Sequence, residues 1–157
     1  MMGGDYAPLE AVKGIALYLS NHNVPASLLL FGDKAGIENL LAEHSIPLEG
    51  ISIIHADQVI DMHEHPTRAL KEKQRSSIAM GFQLLASGKM DAFISAGNTG
   101  AMLVGALFSI KVLERVIRPT ISSVVPKSNG STGLLLDVGL NADCKPEQLN
   151  QFAIMGS

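Results

Sequence analysis

Three observations predict an α/β layered fold with a mostly parallel sheet. Short continuous apolar runs recur along the chain, as strands buried on both faces require. Stretches with apolar residues at helical spacing alternate with those runs. Glycine-bearing turns join strand ends to helix starts. The chain has 157 residues, 46% hydrophobic and 17% charged, which suits a single α/β domain with a real core over residues 1–157.

The elements follow in order. Pro8 sits in a first helical turn, and Leu9, Val12, Ile15, Ala16 and Leu19 form the apolar stripe of a helix that stops near Asn21–Asn23. Ala26 to Phe31 reads as a buried strand, Gly32-Asp33 as a turn, Lys34 to His44 as a helix and Ile51 to His55 as the next strand. Asp57 to Pro66 is polar and irregular, a loop. Thr67 to Ser87 reads as one long helix ended by Gly88, and Asp91 to Ser95 as a third buried strand. A turn at Ala96 to Gly100 opens a helix from Thr99 to Leu113. Ile121 to Val125 and Gly133 to Val138 read as antiparallel strands around the Ser128-Asn129-Gly130 turn, and Pro146 starts the last helix.

Composition excludes several classes. It is too apolar for disorder, and it is not collagen-like. The formal net charge of −3 excludes a strongly basic nucleic-acid binder. One cysteine cannot make an internal disulfide. No apolar run approaches the roughly 18 residues of a membrane span, and the first residues lack the features of a signal peptide. The expectation is a cytoplasmic protein. Met1 to Asp5 opens on a glycine-rich turn with no strand before it, and Gln148 to Ser157 closes inside a helix, so a fragment of a longer protein is expected. A chain lacking part of its sheet leaves an edge or an apolar face exposed, so association is expected too.

Ligands of open α/β sheets sit beyond the carboxyl ends of the strands. Gly3-Gly4-Asp5, Ser95 to Gly100 and Asp137 to Cys144 fall there. Ser95-Ala96-Gly97-Asn98-Thr99-Gly100 follows a strand and opens a helix. Its glycines admit close approach, and the helix start offers free N–H groups to a phosphate or an oxyanion. A plain turn capped by Asn98 or Thr99 explains it equally well. It is neither G-x-G-x-x-G nor a Walker A loop. Asp137 can orient a polar substrate or accept a proton, or bond nearby N–H groups, while Asp143 reads as the cap of the last helix. Cys144 has no activating partner in sequence. Arg68, Lys71, Lys73 and Arg75 crowd eight positions, and Arg68, Lys71 and Arg75 share a helical face. They suit an anion or an acidic partner, or a solvated face; Ser76 and Ser77 follow on the same helix. His55, Asp57, Asp61, His63, Glu64 and His65 do not form a recognised zinc pattern. No metal and no cofactor is expected.

Together these motifs resemble the bacterial phosphate acyltransferases of phospholipid synthesis, the PlsX family. Met2-Gly3-Gly4-Asp5 with Pro8 looks like the family's opening motif; Arg68, Lys71 and Lys73 with Ser76-Ser77 match a second; Ser95 to Ala101 matches a third. Arg118-Pro119, Leu136 to Gly139, Asn141, Asp143 and Gln151 to Ser157 complete the run in order along the whole chain. The resemblance implies transfer of a fatty acyl group from acyl–acyl carrier protein to inorganic phosphate, giving an acyl phosphate. It implies a three-layer α/β/α sandwich like those of isocitrate dehydrogenases and phosphotransacetylases, a homodimer, and peripheral association with the membrane. Asp5, Asn98, Asp137 and Asn141 would then line one crevice as candidate catalytic groups. Gly3, Gly4, Ser95, Gly97, Asn98, Thr99, Gly100, Arg68, Lys71, Lys73, Ser77 and Asp143 would bind substrate or phosphate. Two departures stand out. The family's opening strand and the Asp before the position of Met1 are missing, and family members are about twice as long, so this chain corresponds to an N-terminal half. Leu140 also stands where a small residue is expected. The rival readings are a phosphotransacetylase-like enzyme acting on an acyl-coenzyme A, and a non-catalytic anion-binding remnant.

Overall fold

The computed structural model describes residues 1–21 and 26–157. The expected helix end at His22 and Asn23 lies outside the described residues. The chain divides into two compact units, Met1–Ile110 and Lys111–Ser157.

In the first unit α1 (Leu9–Asn21) is followed by β1 (Leu28–Gly32), α2 (Lys34–Glu43) and β2 (Ile51–His55). β1 and β2 pair in parallel, Leu28 opposite Ile51 and Gly32 opposite His55. This is the β-α-β crossover that the alternation predicts. Asp33 starts α2 by accepting the Gly36 N–H at 3.0 Å. Val12, Leu30, Ile37, Leu41 and Ile46 form one buried cluster, where α1 and α2 cover the strand pair.

The expected long helix over Thr67 to Ser87 is two helices, α3 (Pro66–Glu72) and α4 (Ser77–Ala86). The break has a local cause. Ser76 is fully buried with an extended backbone, and its hydroxyl accepts the Ala79 N–H, capping α4. The same hydroxyl donates to the Lys73 carbonyl at 2.7 Å, closing the turn. Ser76 also forms a parallel bridge to Gln58. Apolar periodicity runs through this break, because both helices turn apolar residues onto one core. Arg75 therefore leaves the helical face expected to hold it with Arg68 and Lys71, and Ser76 and Ser77 start a helix instead of continuing one.

Asp91 to Ser95, expected as a strand, pairs with no other strand among the described residues. Phe93 points inward, edge-on to Phe82 and Phe31 at ring separations of 5.2 and 6.0 Å, while Ile94 is 92% exposed. The segment has strand-like alternation without a ladder partner. α5 (Thr99–Ser109) ends before the expected Leu113, where Lys111 takes a left-handed conformation. A second buried cluster joins Ile60, Ala69, Ile78, Phe82 and Ala101 from α3, α4, α5 and the loop before them. Gly105 and Gly81 make room in it: a Cβ at either would strike the ring of Phe82 or Phe93.

In the second unit β3 (Ser122–Pro126) and β4 (Thr132–Leu136) form the expected antiparallel hairpin. The Gly130 N–H closes its turn onto the Lys127 carbonyl at 3.0 Å, with Gly130 at φ 79°. α6 (Pro146–Met155) follows. The described residues thus form two two-stranded sheets, one parallel and one antiparallel, where one mostly parallel sheet was expected. Among the described residues no helix is long and apolar enough to cross a membrane.

Candidate functional site

The first unit brings the opening motif against the Ser95–Gly100 turn. Gly3 lies on the backbone of Ala96 and Gly97 so closely that a Cβ would collide with Gly97, which explains the glycine. Gly4 takes φ +95°, a conformation few other residues accept.

This contact closes a notch of about 10 Å³ lined by Gly3, Val59, Ile60, Ser77, Ser95 and Gly97. That is room for one oxygen atom. Ser77 is the first residue of α4 and Gly97 precedes the N-cap of α5, so the starts of two helices meet there. Their free N–H groups and positive dipole ends favour an anion. The Ser95 hydroxyl accepts the Gly97 N–H at 3.1 Å and fixes the turn. Gly3, Ser77, Ser95 and Gly97, four of the residues singled out from sequence, are thereby brought together. Thr99 and Gly100 form the first turn of α5, and a Cβ at Gly100 would strike the ring of Pro66. A larger cavity of about 360 Å³ adjoins, lined by Gly3, Gly4, Asp5, Tyr6, Glu10 and Ala96. It places Asp5 beside the motif but outside the notch. Sequence reasoning passed over Tyr6, Glu10, Val59 and Ile60, none of which stands in a motif.

Asn98 does several things at once. Its Oδ1 accepts the Ala101 N–H at 2.9 Å and caps α5. Its Nδ2 donates to the carbonyls of Asp61, Met62 and Glu64 at 2.9, 3.3 and 3.1 Å. Asn98 is buried with both ends of its amide engaged, which fits a group that shapes the site.

The basic cluster is largely paired. Arg68 meets Glu72 at 2.9 Å, Arg75 meets Asp57, and Lys73 meets Glu64. Among the described residues Lys71 makes no ion pair. The Lys73 hydrogen bond, followed by one from the Asp61 N–H, holds the Glu64 carboxyl below its ordinary range.

In the second unit Asp137 is the hub. One carboxylate oxygen accepts the Thr120 hydroxyl at 2.9 Å and the Ile121 N–H at 3.0 Å; the other accepts the N–H groups of Leu140 at 3.0 Å and Asn141 at 2.6 Å. Burial pushes its carboxyl up, but the bonds from Ile121, Asn141 and Thr120 together outweigh burial, so it lies below the ordinary range. A carboxylate held this way anchors a turn better than it takes up a proton. The Asn141 amide donates to the Pro119 carbonyl at 3.1 Å. Asp143 does not cap α6, as was expected: the N-cap is Lys145, whose N–H donates to Gln148 Oε1 at 2.8 Å. The Asp143 carbonyl accepts from Arg118 at 3.2 Å. Among the described residues no three His, Cys, Asp or Glu side chains lie together as metal ligands.

A family model described as "Fatty acid synthesis protein" matches residues 1–157. Curated relatives include the phosphate acyltransferase of Dictyoglomus turgidum, 43% identical over 155 residues, which span 99% of this chain and 46% of the relative. That of Thermoanaerobacterium thermosaccharolyticum is 42% identical over 156 residues, 99% of this chain and 45% of its own. That of Halothermothrix orenii is 44% identical over 155 residues, 99% and 46%. The chain spans about half the length of the curated relatives it matches.

Proposed function

The chain belongs to the fatty acid synthesis protein family, and from that membership we propose that it carries the phosphate-binding part of a phosphate acyltransferase. The reaction is attack of a phosphate oxygen on the thioester carbonyl of acyl–acyl carrier protein. A C–O bond forms, the C–S bond breaks, and the carrier leaves as its thiol with the proton that phosphate gives up. The product is an acyl phosphate for phospholipid synthesis. Phosphate is itself the nucleophile, so the protein supplies position and donors rather than an activated serine or cysteine.

One observation carries the reading: the notch where Gly3, Ser77, Ser95 and Gly97 meet the starts of α4 and α5. It is sized for a single phosphate oxygen, leaving the others at the mouth to attack. Asp5 in the adjoining cavity faces the acyl donor. Asn98 shapes the turn beside the notch, and Asp137 and Asn141 shape the turn that follows β4. Lys71 and Arg68 attract the acidic carrier. The proposal includes the three-layer α/β/α sandwich, a homodimer, and peripheral association with the inner face of the membrane.

A second reading, an anion-binding piece without turnover, is favoured by Asn98 and Asp137, two of the candidate catalytic groups, having their polar atoms engaged in holding turns. Two measurements separate them. Inorganic phosphate is titrated into the chain and followed by phosphorus NMR, and acyl phosphate formed from acyl–acyl carrier protein is counted. Binding with turnover supports the enzyme; binding without turnover supports the piece. No binding, or binding untouched by Ser77→Ala and Gly97→Val, overturns the notch as the phosphate site.

A further inference from the structure

One wall of the notch, Val59 and Ile60, belongs to the segment 57–64 between β2 and α3. Its backbone has little regular structure to hold it, a single bridge from Gln58 to Ser76. Side chains hold it instead: Asn98 takes the carbonyls of Asp61, Met62 and Glu64, which leaves the Val59 end to Lys73 and Glu64. Lys73 leaves the end of α3 and donates to the Val59 carbonyl at 2.6 Å while pairing with Glu64. Glu64 also accepts the Asp61 N–H at 2.8 Å. The Lys73 and Glu64 side chains are each 29% exposed, against 77% and 57% for Arg68 and Glu72. The Lys73 pair is therefore less screened by solvent than its neighbour.

We propose that Glu64 is a positioning residue for the anion notch, holding Lys73 so that the lysine clamps the 57–64 segment instead of binding phosphate. This rests on the notch being the phosphate site. The chemistry sets the two roles apart. An ammonium bonded to a carbonyl and a carboxylate has spent two of its three donors. Its charge is cancelled by Glu64, so the pair neither attracts nor repels an anion. What it fixes is the distance of the Val59–Ile60 wall from Ser77 and Gly97.

The roles predict opposite signs. Removing Glu64 frees Lys73: a lysine ligand would then bind phosphate more tightly, whereas a clamp would release the wall and weaken binding. The test compares the wild-type chain with Glu64→Ala, Lys73→Met and the charge-swapped Glu64→Lys/Lys73→Glu. Phosphate affinity is read by phosphorus NMR, and amide hydrogen exchange over residues 59–64 is read without phosphate. The expected result is roughly tenfold faster exchange of this segment and roughly tenfold weaker phosphate binding in both single variants. Loss of Lys73 should leave the salt dependence of binding unchanged. The swapped pair should restore neither readout, because a carboxylate at 73 cannot donate to the Val59 carbonyl and an ammonium at 64 cannot accept the Asp61 N–H; restoration of both by the swap overturns the clamp. Tighter binding by Glu64→Ala, or unchanged exchange in a folded variant, overturns the proposal. If Glu64→Ala does not fold, Lys73→Arg decides: retained binding and retained exchange support the clamp, and loosened exchange overturns it. Faster exchange in a wild-type background that binds no phosphate leaves the clamp standing and overturns the phosphate reading alone.

Discussion

The two units use different forces. Residues 1–110 bury two apolar clusters, with Val12, Ile37, Leu41 and Ala101 at 1% exposure or less. In residues 111–157 the one buried residue among those described is Phe152. The cross-strand partners Val124 and Leu134 stay 61% and 57% exposed, and Val125 and Leu135, on the opposite face of the hairpin, 41% and 52%. There the loops are held by polar side chains on backbone: Asp137 on four donors, Gln151 on the Ile117 N–H at 2.7 Å and the Arg115 carbonyl. Burial resists truncation in proportion to the area lost, whereas single polar anchors fail one at a time. The same kind of substitution should therefore behave differently in the two units.

The largest contrast is a core truncation. Phe82→Ala should cost about 3–5 kcal/mol in urea unfolding; a cost under about 1 kcal/mol would mean that the second cluster is not a core. Next comes overpacking: Gly105→Ala pushes a Cβ into the Phe82 ring and should cost about 1–3 kcal/mol. Gly88→Ala, with nothing within 4 Å but a φ of +69°, should cost about 1 kcal/mol from backbone alone. Asp137→Asn should loosen the second unit by about 1 kcal/mol, solvent screening reducing it from a fully buried case. It also carries a pH signature. The Asp137 carboxyl is depressed in the folded state, so its contribution is complete above the ordinary aspartate range and is lost as pH falls through the folded value, below about pH 4. Amide exchange of residues 137–141 should quicken there in the wild type and be flat with pH in Asp137→Asn, once intrinsic exchange is divided out. The smallest effect belongs to Leu134→Ser, under about 0.5 kcal/mol by the same unfolding measurement, since its side chain is already in water. A larger cost would mean that the hairpin face is covered in solution.

Much of the fold was legible because its signals are local. Pro8 and Pro146 near helix starts, Gly32-Asp33 as the turn into a helix, and the Ser128-Asn129-Gly130 turn each act within a few residues. The break at Lys73 to Ser76 was not legible, since it depends on Gln58 and Val59, which are distant in sequence. Nor was the missing ladder at Asp91 to Ser95, because alternation describes a strand's faces and says nothing about its neighbours. At the site, the glycines of the opening and of the Ser95–Gly100 turn announced a close approach. Lys73 looked like an anion ligand in the sequence because Glu64, nine residues earlier, gives no sign that it will meet it.

The sequence by itself determined the α/β alternation, the β1-α2-β2 crossover, the hairpin and the run of motifs that mark the family. These follow from backbone preferences and apolar spacing over a dozen residues or fewer. Only the tertiary structure decided which charges pair, that Asn98 spends its amide on three distant carbonyls, and that Gly3, Ser77, Ser95 and Gly97 meet between two helix starts. Those outcomes depend on contacts between segments tens of residues apart, whose geometry packing sets and local pattern does not carry.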